Sequence, residues 1–364
     1  MPPLTLFRYI AVRTVFAVGG LLLIFTGLIM LVDLIENLRF AGKVDDGDFG
    51  LAAMLTIMRA PALAQTLIPF VFLFGAIWMF NDLNRRSEIS VMRSAGLSIW
   101  RLLGPAAIIA ALSGVLIITV IDPMSAKLFS TAENLIANKQ GGGQNVIRVF
   151  TDGIWLRQRD EKMQLIINAQ NFDEDRETLE DVTVWRTDLN SRFLERIDAS
   201  EAVLSGQVME LRDARLKEAE GLTERRTPVY AMETVLTSAD LRSRVPPPET
   251  MSIWQLPKFI ALAETAGLPT VRYHMRFHDL SSAPLKLLAM VLIAASFSLR
   301  PARLGGVFGM VLASIGVGFL LYILSEISSA LGQAGLVPIA MAAWTPAIIA
   351  SLAAITALLH LEDG

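Results

Sequence analysis

The stretch TVFAVGGLLLIFTGLIMLV, Thr14 to Val32, carries no acidic or basic side chain and is close to the ~20 residues that a helix needs to cross a bilayer. Ala60 to Asn81, Leu102 to Ile121, Leu304 to Ser325 and, within a longer uncharged run, about Ala340 to Leu359 repeat the pattern. Leu280 to Leu299 departs from it only at Lys286. A polar insert from about Pro123 to Asp279 splits these six stretches three and three. Hydrocarbon offers the backbone no hydrogen-bond partner, so each stretch is expected to be a helix that pairs its own peptide groups.

Composition agrees with a membrane chain: 53% of residues are hydrophobic and the mean hydropathy is positive, above the apolar share of an ordinary soluble domain. A net charge of -3 without any Lys/Arg-rich run argues against a nucleic-acid partner. Cysteine is absent, which excludes disulfides and thiol catalysis. Arg8 and Arg13 precede the first apolar run as in a signal peptide. That run is too long, however, and passes into Val32-Asp33-Leu34-Ile35-Glu36 without a small-residue cleavage site, so a retained anchor is expected.

Basic residues near span ends collect on one side: Arg8, Arg13, Arg85, Arg86, Arg93, Arg101, Arg300 and Arg303. That side is expected to be cytoplasmic, with both termini there and the insert outside. The resulting layout is residues 1–122 for three transmembrane helices, 123–280 for an extracytoplasmic β domain with its connectors, and 281–364 for three more helices.

Interruptions refine this layout. Phe49 to Met58 is apolar but too short to span, and Pro61 follows, which predicts a short interfacial helix turning into the second span, with a kink at Pro69. In the fifth span Gly305, Gly309 and Ala313 recur every fourth residue, as do Ser314 and Gly318. Two small-residue stripes of this kind admit a neighbouring helix closely, either as ordinary bundle packing or as a subunit seam or movable wall. Lys286 is the one charge inside a span, and its stem can snorkel outward. An ion-coupled transporter needs ionisable groups at hydrocarbon depth, so the nearly charge-free interior argues against a proton or sodium relay and suits apolar cargo.

Between Asn145 and Thr237 short runs rich in Val, Ile, Thr, Phe and Trp alternate with polar turns, the pattern of an antiparallel all-β domain. The expected strands are Val146 to Phe150, Gly153 to Gln158, Gln164 to Phe172, Thr178 to Thr187, Arg192 to Ile197, Ala202 to Leu204, Val208 to Leu216 and Val229 to Thr237. Gly141-Gly142-Gly143 reads as a flexible entry, Arg159-Asp160-Glu161-Lys162 as a hairpin turn, and Pro246-Pro247-Pro248 as a stiff exit. Val182 and Val184 share one strand face, Thr183 and Trp185 the other. The apolar face is either core or, if the sheet opens at an edge, a surface for a lipid chain.

The loop Asp82 to Arg101 suits a helix over about residues 82–95, ended by Gly96, with Leu83, Ile89 and Met92 on one stripe. It reads either as an interfacial helix or as a lever inserted into a cytoplasmic partner, with Glu88 offered to a cationic or hydrogen-bonding pocket. No G-x-x-x-x-G-K-[ST], G-x-S-x-G or H-E-x-x-H motif occurs, so neither ATP hydrolysis nor another catalytic site is expected in this chain. His274 and His278 lie one helical turn apart beside Asp279, but no further ligand motif accompanies them, and they are read as polar residues at a membrane entry rather than as a metal site.

Leu31-Val32-Asp33, the run Asn84 to Gly96 (NRRSEISVMRSAG) and Tyr273 through Pro284 carry a resemblance that covers nearly the whole chain. Ser252-Ile253-Trp254-Gln255-Leu256, Ala266-Gly267-Leu268 and Ala343-Trp344-Thr345-Pro346 add to it. The chain resembles the LptF/LptG family of lipopolysaccharide export permeases, and the Phe297 to Gly306 turn and the Tyr322 region look more like the LptG branch. The resemblance implies a membrane α-helical bundle of six transmembrane helices in a bacterial inner membrane, with an inserted periplasmic β-jelly-roll-like domain. It implies pairing with a homologous LptF-like permease and an LptB-like ATPase dimer that holds ATP and magnesium, no cofactor being bound by this chain. It also implies a bridge through LptC-like and LptA-like proteins that receives lipopolysaccharide. In it the loop helix corresponds to the coupling helix, Glu88 to its acidic position, and Arg85, Arg86, Ser87 and Met92 to its surroundings.

Family members commonly carry basic residues at the periplasmic end of the first span to meet lipid phosphates. This chain departs, with Met30 and Leu31 there. Arg39, Lys43 and Lys127 remain as candidates for head-group contact, with solvated surface charge as the alternative. A non-conducting scaffold that relays ATPase motion to the β domain is the competing function, and a secondary transporter a third.

Overall fold

The computed structural model describes residues 4–44, 47–139, 146–150, 153–159, 163–173, 178–188, 192–205, 208–218, 224–234, 246–266, 268–299 and 307–363. The chain divides into two compact units, Met1–Phe129 with His274–Gly364, and Ser130–Tyr273. In the first unit the helices are α1 (Leu4–Ala41), α2 (Phe49–Arg85), α3 (Glu88–Ser94) and α4 (Ile99–Leu116). A π-helical turn, Ile117–Ile121, leads from α4 into α5 (Asp122–Lys139). Five described helices are long and apolar enough to cross a membrane, and a sixth span results if the pair Val271–Ser281 and Ala283–Ser298, bent by 52°, counts as one. A helical membrane bundle with an inserted β domain is therefore the fold, as the sequence predicts.

Several boundaries differ from the sequence reading. The expected interfacial helix before Pro61 is instead the first part of α2, which runs unbroken through Pro61 and Pro69. Packing against neighbouring helices lets a membrane helix keep prolines in its interior. At 1.5 Å per residue α2 is about 55 Å long, well beyond the ~30 Å hydrocarbon layer. The expected loop helix over residues 82–95 divides likewise. Asp82 to Arg85 end α2, Ser87 turns the chain with a left-handed φ of 59°, and only Glu88–Ser94 form α3. Gly96, at φ 82°, stops α3 as expected, its N–H donating to Arg93 O.

The remaining helices are α6 (Leu256–Thr265), α7 (Val271–Ser281), α8 (Ala283–Ser298), α9 (Val307–Gln333) and α10 (Ile339–Asp363). The bundle core gathers Ile10 and Val18 of α1, Leu73 and Phe80 of α2, Leu103 of α4, Val291 of α8 and Leu358 of α10. Close approaches rest on glycine: a Cβ at Gly114 would overlap the backbone of Pro284, and one at Gly75 would come within 3.1 Å of Val18 Cα. By contrast, a Cβ at Gly104 of α4 would meet nothing within 4 Å.

The second unit holds one antiparallel sheet of seven strands, β1 (Val146–Phe150), β2 (Gly153–Arg159), β3 (Met163–Asp173), β4 (Thr178–Asp188), β5 (Phe193–Ser205), β6 (Val208–Glu218) and β7 (Glu224–Glu233), each paired with its sequence neighbour. The strands thus form a meander, with no crossover among the described residues. Gly141 to Gly143 and Asp160 to Lys162 lie outside them. Arg192–Ile197 and Ala202–Leu204, expected as two strands, are one strand, β5.

The reason is a line of irregularities crossing three neighbouring strands. On β4 the buried apolar residues are Leu179, then Val182 and Val184; on β5 Ile197 and Ala199, then Ala202; on β6 Met209 and Leu211, then Ala214 and Leu216. Each strand therefore skips one step of its period-2 alternation at the same level. Asp181 and Asp213 take left-handed φ angles of 49° and 52° there, and Asp181 and Ser200 drop out of the Cα register. The skip keeps both halves of each strand turned to one apolar cluster. What reads as a polar gap from Asp198 to Glu201 is this irregularity and not a turn. The last strand also starts earlier than expected, at Glu224, because the charged run Glu224-Arg225-Arg226 forms an exposed sheet edge, where Pro228 is tolerated as well.

Gly114→Ala is expected to cost about 1–3 kcal/mol, since the backbone of Pro284 cannot yield as a side-chain tip would. Gly104→Ala is expected to be neutral or stabilising by up to about 1 kcal/mol. Thermal unfolding of the two variants in one detergent checks the contrast.

Candidate functional site

The short helix α3 is too small to hold itself in water and depends on its neighbours. Ile89 is buried in the bundle core with Leu83, and Met92 packs against it, so the expected stripe is the inner face of this segment. Its outer face exposes Ser90, Val91, Arg93 and Ser94, with Arg85, Arg86 and Ser87 exposed just before it. Val91 is 65% exposed, which is unusual for a branched apolar side chain on a surface otherwise basic and hydroxylated.

Glu88 does not point outward with them. Tyr9 Oη donates to Glu88 Oε2 at 2.8 Å, and Arg13 lies 3.6 Å from Glu88 Oε1. Arg13 also pairs with Asp82 at 2.9 Å and stacks over the Tyr9 ring at 4.6 Å from its centre, while Arg86 holds the other Asp82 oxygen at 3.1 Å. The carboxylate expected to seek a partner's pocket is thus met first by its own chain. The signal was present in sequence as Tyr9 and Arg13, one helical turn apart, but only folding sets them beside a loop 79 positions away.

Arg39 and Lys43 are exposed and one turn apart near the end of α1; Lys127 is exposed on α5. A third basic residue near that end of α1, Arg59, is turned inward. Arg59 Nη1 lies 3.3 Å from Asp33, which is 6% exposed, and Asn37 donates to both Asp33 and Thr56 at 2.7 and 3.0 Å. Arg59 also sits 5.6 Å from the centre of the Phe129 ring. Asp33 and Asn37, spaced i,i+4, and Thr56 and Arg59, spaced i,i+3, form facing polar stripes that the sequence reading passed over.

Further into the bundle, Arg276 of α7 pairs with fully buried Asp122 at 3.2 Å and donates to Gln65 at 3.2 Å. Lys286, expected to snorkel, forms an ion pair with half-exposed Asp279 across the α7–α8 bend. Gln65, Arg276, Asp279 and Lys286 line a cavity of about 190 Å³ together with Pro69, Tyr322 and Glu326. The wall is mostly apolar, and the charged and amide groups in it can hold water in a space of this size.

On α9 the two small-residue stripes have different fates. Ser314 is buried, and a Cβ at Gly318 would overlap Leu73 of α2, so this stripe packs inside the chain. Gly309 and Ala313 are exposed, with open space beside Gly309; Gly305 lies outside the described residues. Exposed apolar side chains run along α9 (Leu312, Phe319, Leu320, Ile323) and even more fully along α1 (Phe16, Leu23, Ile24, Leu28). In the β unit Val182 and Val184 belong to the core, where Ala263 of α6 joins them; Trp155 and Trp185 stack at 5.4 Å.

Residues 8–360 match the family described as lipopolysaccharide export system permease LptF/LptG. Among curated proteins, the chain is 26% identical over 342 residues to the lipopolysaccharide export system permease protein LptG of Haemophilus influenzae, covering 92% of this chain and 91% of that protein. It is 23% identical over 333 residues to the protein of the same name from Escherichia coli K12, covering 88% of each.

Removing Arg59 leaves the Asp33 carboxylate buried without its cation. Arg59→Ala is expected to cost about 3–5 kcal/mol, and Asp33→Ala combined with Arg59→Ala less than that single change. Denaturant unfolding of the single and double variants measures the difference.

Proposed function

The chain belongs to the LptF/LptG family of lipopolysaccharide export permeases, and from this premise we propose that it is one half of an ATP-driven extractor that lifts lipopolysaccharide out of the bacterial inner membrane. A homologous permease supplies the other half, and a separate ATPase dimer binds ATP and magnesium. The observation that carries this reading is the coverage of α1 and α9. Both are long and apolar, yet few of their side chains are buried within their own bundle, which suits walls completed by a second permease and by lipid. The open Gly309 and Ala313 stripe fits the seam between the halves.

The segment Arg85 to Ser94 is the coupling element on the cytoplasmic side, and closure of the ATPase dimer pushes it. The push narrows the space between the permeases, and the lipid leaves toward the periplasmic β unit and the bridge proteins beyond. Apart from Lys286, the apolar runs of the spans carry no charge, which suits acyl chains. Arg39 and Lys43, exposed near the end of α1, are the proposed contacts for phosphate groups, with Lys127 on α5 as a further candidate.

In complexes reconstituted with the partner permease and ATPase, photo-reactive side chains along α1 and α9 are expected to trap lipopolysaccharide. Lipid captured at neither helix while export proceeds would favour the scaffold reading. Reversing Arg39 and Lys43 together to Glu is expected to lower lipid-stimulated ATP hydrolysis several-fold, and an unchanged stimulation removes both residues from the head-group site.

A further inference from the structure

We propose that a groove between α1 and α2, at the cytoplasmic end of the bundle, binds one anionic glycerophospholipid of the inner leaflet, with Arg85 holding its phosphate. The inference goes beyond the transport reading and takes from it only which end of the bundle is cytoplasmic. The groove has a volume of about 450 Å³ and is lined by Leu21 of α1 and, on α2, by Phe74, Trp78, Asn81, Asp82 and Arg85. From Val71 to Phe80 every residue of α2 is buried except Phe74, which is half-buried, and Trp78, which is 67% exposed. A helix sunk in its own bundle thus keeps one stripe open. Phe74, Trp78, Asn81 and Arg85 follow at i, i+4, i+7 and i+11, and over about 16 Å they grade from a hydrocarbon ring through indole and amide to a guanidinium.

That order matches the layers of a phospholipid. Tryptophan settles where hydrocarbon meets head groups, so Trp78 sets Phe74 at the depth of an acyl chain and Arg85 at the depth of a phosphate. Asp82 does not repel an anion there, because Arg13 holds one of its oxygens at 2.9 Å and Arg86 the other at 3.1 Å. Arg85 is exposed and has no hydrogen bond or ion pair among the described residues. An unpaired guanidinium offers phosphate two parallel hydrogen bonds, and basic pockets between membrane helices on the cytoplasmic side suit anionic head groups. Arg39 and Lys43, the contacts proposed for the phosphates of the cargo, lie toward the other end of α1, so the lipid of this groove is a different one.

The test uses the complex with the partner permease and ATPase, in vesicles of phosphatidylethanolamine and phosphatidylglycerol that contain a trace of phosphatidylglycerol with a photo-reactive acyl chain. Light is expected to attach this probe to α2 near Phe74 and Trp78, in excess over the exposed flank of α9 at Leu312 and Leu320, and added lipopolysaccharide is expected not to compete. Arg85→Glu should lower the excess about tenfold and Arg85→Lys by less, while labelling of α9 stays constant and shows that the variants are folded. Equal labelling by a phosphatidylethanolamine probe with the same chain overturns the anionic site and makes the groove ordinary lipid boundary. An unlabelled α2 overturns it in favour of the second permease as the cover, and loss of label on adding lipopolysaccharide overturns it in favour of the cargo. A labelled groove in a complex that hydrolyses ATP and releases no lipopolysaccharide supports the site and overturns the transport reading instead.

Discussion

A charge is costly in hydrocarbon, and this chain satisfies that constraint by pairing charges where its helices meet or break. Asp33 with Arg59 joins α1 to α2 on one side of the bundle, and Arg13 with Asp82 and Glu88 joins α1, α2 and α3 on the other. Asp122 with Arg276 lies where the π-helical turn ends, and Asp279 with Lys286 spans the bend between α7 and α8. For Asp33 with Arg59 and Asp122 with Arg276, loss of the arginine would destabilise more than the pair stabilises, because the orphaned carboxylate would remain buried. The network thus specifies which helix ends belong together, while the apolar core and the glycine contacts supply the attraction between them.

The β unit meets a different constraint with local backbone geometry. Among the described residues, seven strands in simple succession leave β1 and β7 as edges and one large apolar face. The aligned irregularities at Asp181, Ser200 and Asp213 move the apolar residues by one position on three adjacent strands, so the sheet serves one core on both sides of that line. Two aspartates suit the site because a short polar side chain tolerates the left-handed conformation better than a branched one. The core also takes Ala263 of α6 and Leu268, so the apolar face is covered within the unit.

On the proposed reading, division of labour follows exposure. The spans that pack most tightly, α2 and α8, form the frame, whereas α1 and α9 keep their apolar flanks for lipid or a second permease. The frame and the first span meet again at the coupling segment, where a single arginine contacts acidic groups from two other elements. A motor docked on that segment therefore has both a rigid backing and a connection to a span few of whose side chains are buried by the rest of the chain.

Long uncharged runs flanked by arginine made the helices legible from sequence, since no soluble fold needs that pattern and few alternatives satisfy the backbone in a bilayer. Period-2 alternation did the same for most strands, and Gly96 marked the end of α3 by its conformation alone. Where the reading failed, its signals were local and the answer was not. Pro61 suggested a turn from an interfacial helix into the span, whereas α2 runs through it, and the gap at Asp198 to Glu201 lies inside one strand whose neighbours skip a step of their alternation at the same level while the register is kept. Candidate residues were recognisable by type: Glu88 as an acid in a coupling loop, Arg39 and Lys43 as cations near a span end, Gly309 and Ala313 as a stripe. Which of them faces outward and which is engaged inside the chain was decided only by the tertiary structure, because Tyr9 and Arg13 reach Glu88, and Leu73 fills the space at Gly318, through contacts between residues far apart in sequence.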